Sequence, residues 1–481
     1  MFFIYSFKMQ NINKNINLNP KKQRTIIEPF KIKMVEPLPF LNKNQRSEIL
    51  TEAGYNLFLI KAEHVTFDFL TDSGTTAMSA TQWGAMMVAD ESYAGSRSYH
   101  KFEKVVQDLT GYSNIIPTHQ GRAAEKIFFS ALVKPGHKIP SNNHFDTTRA
   151  NIEQLGAEAV DMVIPEGKDP QKIYPFKGNI DLIKLENFCK EYQSQIPFGM
   201  ITITNNTGGG QPVSLENIEG ASRIYKKYGI PFIMDVCRFA ENSYFIKIRE
   251  EKYKNTSILE IAQTTFSMAD GCLMSAKKDG LVNIGGFIAL KNSAQNTEWT
   301  QKLRSLLILM EGFPTYGGLA ARDLEALAVG LVEVLSEDYL SYRIAVSKYM
   351  GDGLNKLGIP TMQPTGGHAV YIDAKAFLPH IPQHQFPGQS LACEMYLQEG
   401  IRTCEIGSVM FGKNVNNQFI PSEMELVRLA FPRRVYTQSH FDYMLEGFEE
   451  IASNKNNLRG LEMIYEPPFL RHFTAKFKPI S

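Results

Sequence analysis

Long apolar runs are missing from this 481-residue chain. No stretch approaches the roughly 18–20 apolar residues that a bilayer-crossing helix needs, and the opening cluster MFFIYSF is too short for a secretory signal. An excess of one charge is missing too. Its 51 basic and 50 acidic residues sum to +1, which leaves no electrostatic footprint for nucleic acid or an anionic membrane. Cysteine is scarce: the five at positions 189, 237, 272, 393 and 404 have neither zinc-site spacing nor the density of a disulfide framework. A reducing, cytoplasmic setting follows. Around residues 10–26 there is no acidic residue, but this Asn- and Lys-rich stretch lacks the arginine and serine density of a transit peptide. Residues 1–27 therefore read as a disordered extension, with mitochondrial targeting by them left open.

What the chain does have is enough apolar material, 43% of its residues, to build a large core in more than one domain. From about residue 63 to 291, short apolar runs alternate with amphipathic stretches, the pattern of an α/β domain with a mainly parallel sheet covered on both faces. The expected strands include 199–204, 231–235, 271–275 and 285–290. Between two of them, LENIEGASRIYKKY places Ile218, Ala221, Ile224 and Tyr225 on one helical face, which predicts a crossover helix over 215–228. A longer helical stretch, 324–357, leads into a second, smaller α+β region containing GGHAVYIDA and VRLAFP. The organisation read from this is an arm at 28–41, a first piece of the small domain at 42–61, a large domain at 62–330, and the rest of the small domain with the C-terminal segment at 331–481.

Four places carry chemistry. In MSAKKDG, Lys277 and Lys278 follow an apolar run, with Ser275 at the turn. A lysine held there in a partly desolvated pocket has a lowered amine pKa and can form a Schiff base; alone, such a pair would be ordinary loop lysines. Asp235 ends the apolar run PFIMD, with Arg238 three residues on; a carboxylate so placed needs a cation, either a pyridinium nitrogen or the arginine of a helix cap. Gln120, Gly121 and Arg122 form a turn opening a helix, where free N–H groups and the helix dipole suit a phosphate. Phe145, beside Asp146 in NNHFDTTRA, offers a ring that can stack on a pyridine face. In this order along the chain, the four resemble the sites of fold-type-I pyridoxal-phosphate enzymes, the aspartate-aminotransferase-like group.

The strings LTDSGT, ADESYAGSRSYH, PTHQGRAAE, GGQPVS, RFAENSYFIK, MSAKKDG, EGFPTYGGL, VRLAFPRRVYT and YEPPFLRHFTAKF resemble the β-eliminating lyases from about residue 28 to the C-terminus. The resemblance implies a large PLP-binding domain and a small domain in a homotetramer. It makes Lys278 the Schiff-base lysine and general base. Gln120, Gly121, Arg122 and Ser275 then hold the phosphate, Phe145 stacks on the ring, Asp235 pairs with the ring nitrogen, and Asn206 and Arg238 reach the ring oxygen. Thr71, Ser73 and Arg428 bind the substrate carboxylate. Tyr93, from a neighbouring subunit, is the implied proton donor, and a monovalent cation, usually potassium, sits near Gly74, Glu91 and Asn283. The products are pyruvate, ammonia and an aromatic leaving group.

One branch of the family releases indole from tryptophan and the other phenol from tyrosine. Indole N–H only donates, whereas a phenol oxygen also accepts and gathers charge. Where the phenol-releasing members carry FTTTR, this chain has Asp146 in FDTTR. Where they carry an arginine after Met-Glu, it has Ile406 in CEIGS, and in place of LRFF it has His472 in LRHF. All three favour indole. KKDGLVNIGG and GLAARDLEALA look more like the phenol branch, but they lie outside the inferred leaving-group pocket. Tyrosine cleavage is the alternative; a catalytically silent binding protein is the other, opposed by the intact lysine, aspartate and arginine.

Overall fold

The computed structural model describes residues 26–415, 418–468 and 470–480. Most of the expected disordered extension, residues 1–25, lies outside the described residues. The apolar runs at the centre of the chain form one five-stranded sheet: β1 (Asn114–Thr118), β2 (Gly199–Thr202), β3 (Phe232–Asp235), β4 (Gly271–Ser275) and β5 (Gly286–Leu290), in the order β1-β5-β4-β3-β2. Neighbours β2, β3 and β4 pair in parallel, while β5 runs antiparallel to both β4 and β1. Four of the five strands therefore point one way, the mainly parallel layer expected of the α/β class. Residues on alternate sides explain the unbroken apolar runs. Ile116, Ile233, Leu273 and Ile288 pack with Phe128, Phe198 and Trp299 on one face, and Ile201, Met234, Cys272 and Phe287 pack with Phe102, Ile218 and Leu324 on the other, so neither face meets water.

The helices follow from their caps. α1 (Gly121–Leu132) succeeds β1 and α2 (Asp146–Gln154) follows Phe145. α3 (Leu215–Lys227) starts at Ser214, whose side chain accepts the Asn217 N–H, and buries Ile218, Ala221 and Tyr225 as expected. Strand β2 ends two residues before the expected boundary because the chain turns into a backbone bridge between Asn205 and Gln211. After β3 comes α4 (Phe239–Arg249). The single helical stretch expected at 324–357 is two helices, α5 (Ala321–Glu333) and α6 (Glu337–Lys356): Ser336 accepts the Tyr339 N–H, and Glu337 and Asp338 sit in the first turn, so a new helix starts there. Helix α6 joins two cores. Its Tyr339 and Leu340 lie in the core with the sheet, and its Met350 and Leu354 in a second core shared with Leu50, Leu57, Phe67 and Phe69. Over that second core lies an antiparallel sheet of β6 (Ala369–Asp373), β7 (Cys404–Ile406) and β8 (Leu426–Ala430), in the order β7-β8-β6. No helix among the described residues is long and apolar enough to cross a membrane.

Between the two cores runs a buried network of charge. Arg433, fully buried, donates at 2.9 Å to each of Asp72, Glu241 and Asp279. Asp72 is also gripped by Arg238 at 2.8 Å, and Glu241 by Arg343 at 3.1 Å. Burying carboxylates is costly unless each is paired. Arg433→Met would leave Asp279 with no cation and take one of two from each of Asp72 and Glu241, so we expect it to lower stability by about 3–5 kcal/mol, read as a fall in Tm; a loss below about 1 kcal/mol would show that the network contributes little to the fold.

Candidate active site

The carboxyl ends of β1 to β4 open on one cavity, the usual place for a ligand beside a parallel sheet. It measures about 270 Å³, close to the lower end of small-molecule sites, about 300–1,000 Å³. At one end the chain leaves β1 and enters α1 through Gln120, whose side chain makes no capping bond to the first turn. The helix dipole and first-turn N–H groups therefore face the cavity as an anion cradle. Gly121 is required: a Cβ there would lie 2.4 Å from the Cβ of Ser275, the last residue of β4. Arg122, Lys277 and Lys278 line this end, and none has an ion-pair partner among the described residues. Burial, then the like charges of Lys278 and Arg122, push the Lys277 amine below its ordinary value. Such a cluster lacks an anion.

Across the cavity Asp235, at the end of β3, accepts the Cys237 N–H at 3.2 Å and has no cation within ion-pair reach among the described residues. Phe145 lines the wall nearby. An unpaired carboxylate, an aromatic ring and an anion cradle are what a pyridine ring bearing a phosphate needs, so the residues fit pyridoxal phosphate. Glu125, which sequence reasoning missed, also lines the cavity. It accepts the hydroxyls of Thr147 and Thr148, and burial together with the charge of Asp235 pushes its carboxyl up to about 7. Its signal was available: it stands four residues after Gly121 in PTHQGRAAE, on the same helical face.

Thr71, Ser73, Asn206 and Arg428 meet at another part of the wall. Arg428, on β8, donates to Asn206 Oδ1 at 3.3 Å and to the Leu70 carbonyl at 3.0 Å, while its buried Nε has no partner among the described residues. No carboxylate pairs with it there either. Asn206 Oδ1 also accepts the Tyr371 hydroxyl at 2.8 Å. Arg238 also lines the cavity, and its Nε and Nη2 donate to Asp72, at 3.1 and 2.8 Å. Burial opposes the charge of Asp72, yet Arg238, His368 and Arg433 hold its carboxyl well below the usual range. The sequence reading passed over Asp72, between two residues it named.

At the far end Asp146 opens α2, its Oδ1 accepting the Thr147 N–H at 2.7 Å. Its Oδ2 lies 3.2 Å from His472 Nε2, and both side chains are buried. Phe58, Met410 and Phe473 complete this end, with the Phe473 ring centred 4.0 Å from that of His472. Ile406 does not line the cavity. It is buried opposite Leu426 in the small sheet, in a cluster with Cys404 and Tyr371 that Phe58 and Met410 pack against, so those two supply the apolar wall instead. Tyr93 also lies off the cavity of its own chain, exposed and packed on Phe313 and Tyr316. Of the expected cation residues, Asn283 Nδ2 donates to the Gly74 carbonyl at 3.0 Å, whereas Glu91 accepts the N–H groups of Ala321 and Arg322 at the start of α5. No cluster of three or more His, Cys, Asp or Glu that could hold a metal occurs among the described residues.

Comparison with known proteins gives the family of the chain. The family pattern described as β-eliminating lyase matches residues 68–446. A tryptophanase of Hyphomonas neptunium is 56% identical over 455 residues, covering 95% of this chain and 99% of that one. A tyrosine phenol-lyase of Symbiobacterium thermophilum is 47% identical over 462 residues, covering 95% and 100%. Among solved structures, a serine palmitoyltransferase of Sphingomonas wittichii superimposes with a TM-score of 0.56 at 13% identity, covering 86% of this chain and 96% of that one, a likeness of fold alone. Matched over so much of its length by the family pattern and by these two lyases, the chain belongs to the β-eliminating lyase family.

Proposed function

We propose that this chain is a pyridoxal-phosphate-dependent carbon–carbon lyase that converts L-tryptophan to indole, pyruvate and ammonia. The observation that carries the choice of substrate is the buried Asp146–His472 pair at the apolar end of the cavity. A carboxylate there has lone pairs left for an indole N–H, and it opposes the negative charge that a departing phenol would gather. The tryptophanase relative points the same way.

When bound, the cofactor supplies an electron sink that makes the substrate's Cα proton acidic. Gln120, Gly121, Arg122 and Ser275 hold its phosphate, Phe145 covers the ring, Asp235 holds the ring nitrogen, and Asn206 faces the ring oxygen. Thr71, Ser73 and Arg428 bind the substrate carboxylate, a task that suits the unmatched guanidinium. Lys278 Nζ takes the Cα proton. Tyr93 of a neighbouring copy delivers a proton to the ring carbon of the leaving group. This role requires an oligomer, which we take to be a homotetramer. Arg238 reaches the ring oxygen beside Asn206 and also fixes Asp72 between Thr71 and Ser73. Gly74, Glu91 and Asn283 are proposed to hold potassium. Five free cysteines fit a cytoplasmic enzyme.

The deciding test is pyruvate release by the PLP- and potassium-loaded protein from L-tryptophan and from L-tyrosine, with indole and phenol assayed. Dominant indole is expected; dominant phenol would overturn the choice of substrate and leave the lyase standing. Asp146→Ala should cost tryptophan cleavage roughly 5- to 150-fold more than cleavage of S-methyl-L-cysteine, as expected for one unpaired buried donor. Equal losses would mean that Asp146 does not read indole. Glu125 should hold a proton that the unfolded chain has lost between pH 4.5 and about 7. Wild-type stability should then fall relative to Glu125→Gln as pH rises through that window, by on the order of 3 kcal/mol. Thermal unfolding of both apoproteins from pH 4.5 to 7.5 measures this, and a constant difference would place the Glu125 carboxyl at its ordinary value.

A further inference from the structure

Two single turns of backbone close the apolar end of the cavity. One is α7 (Ser408–Phe411), which brings Met410 to the wall; the other, Arg471–Phe473, brings His472 and Phe473. A single turn leaves most of its own N–H and carbonyl groups unpaired. In α7 the N–H groups go to two carboxylates: Ser408 donates to Glu425 at 3.2 Å, and Val409 and Met410 donate to the two oxygens of Glu405 at 3.0 and 3.1 Å. Burial pushes both carboxyls up, with Glu425 adding to the shift at Glu405, so together they retain a proton.

Two carbonyls of the turn and that of Gly412, which follows it, accept from one side chain. Arg471 Nε donates to Val409 O at 2.6 Å, its Nη2 to Ser408 O and, at 2.7 Å, to Gly412 O, and its Nη1 to Glu466. Arg471 is buried yet does not line the cavity; it stands behind the wall. Gly412 makes room for it, since a Cβ there would lie 2.9 Å from Arg471 Nη2 and 2.5 Å from Ser408 O.

We propose that Arg471 is a positioning residue for leaving-group specificity, clasping the turn that carries Met410 to the turn that carries His472 and Phe473. The proposal rests on the reading of this end as the leaving-group pocket. The guanidinium is planar, and two of its nitrogens engage two carbonyls of one turn and the Gly412 carbonyl that follows it, so it fixes both the distance and the rotation between the two turns. An ammonium on a flexible stem keeps the charge but not the plane. With the clasp loosened, His472 drifts from Asp146 and Met410 from the wall. A bulky aromatic leaving group feels that shift, and a methylthio group, too small to fill the pocket, does not.

The test uses PLP-loaded Arg471→Lys and Gly412→Ala, the second crowding both the guanidinium and the Ser408 carbonyl it holds while keeping Arg471 in place. For each, kcat/KM is measured on L-tryptophan and S-methyl-L-cysteine, and added indole is measured as an inhibitor of S-methyl-L-cysteine cleavage. Arg471→Lys is expected to lose at least tenfold more on tryptophan than on the small substrate, with a comparable weakening of indole inhibition. Gly412→Ala is expected to shift the same ratio in the same direction, and it decides the matter if the lysine variant does not fold. Equal losses on both substrates, or unchanged indole inhibition, would overturn the role. Should the wild-type protein prefer tyrosine, the reading of the substrate fails separately, and the same ratio taken with tyrosine and phenol tests the clasp.

Discussion

A single buried guanidinium sets the geometry on which the rest of this molecule depends. Arg433 reaches it from the segment after β8, and its three carboxylate partners come from three other places: Asp72 from the loop with Thr71 and Ser73, Glu241 from α4, and Asp279 from the position next to Lys278. Asp279 in turn accepts the N–H groups of Ala240 and Glu241, at 2.9 and 3.3 Å, so the lysine loop is tied to the start of α4, just past Asp235 and Arg238. With Arg238 and Arg343 the network holds three positive and three negative side chains. Each charge would be too costly to bury alone. The network therefore closes only when the core around the large sheet and the core of the small domain are both in place, and closing it brings together the residues that line the cavity.

The cavity itself is arranged by the opposite rule. Where the network pairs every charge, the cavity leaves several without an opposite charge in ion-pair contact among the described residues: Asp235, Arg428, and the crowded Arg122, Lys277 and Lys278. These charges complement a ring nitrogen, an amino-acid carboxylate and a phosphate. Because neighbouring packing already fixes them, little reorganisation is left for the moment of reaction. Glu125 keeps this balance from being spoiled. As a second full negative charge it would compete with Asp235, and burial beside Asp235 instead keeps its carboxyl protonated toward neutrality.

How much of this could be read from the sequence depends on whether a residue announces its role locally. The large sheet was legible because both faces are covered, so its strands are short unbroken apolar runs ending at Asp235 and Ser275. Gly121, Asp235 and the lysine pair were legible because each stands at a strand end or a helix start, where chemistry meets backbone geometry. Asp72, Glu125 and Arg433 stood in strings that were read for other residues. Nothing local marks them: Asp72 and Arg433 are defined by partners more than a hundred positions away, and Glu125, on α1, by Asp235 at the end of β3. The break at Ser336 was missed because apolar periodicity continues across it, although the serine cap was there to see.

Ile406 shows where reading by residue type gives out. A change from a charged to an apolar residue was taken as a sign of the surroundings of the leaving group, but the side chain that lines the wall is Met410, four residues on, across a turn that sequence pattern did not register. That turn has no periodicity to betray it, because it is held from outside, by carboxylates on its N–H side and by Arg471 on its carbonyl side. Under the proposed function, selectivity at this end has two physical sources. One is a donor–acceptor match at Asp146 and His472, which depends on residue identity and can be read from a sequence. The other is the placement of the wall, which depends on long-range backbone bonds and can be read only from the fold.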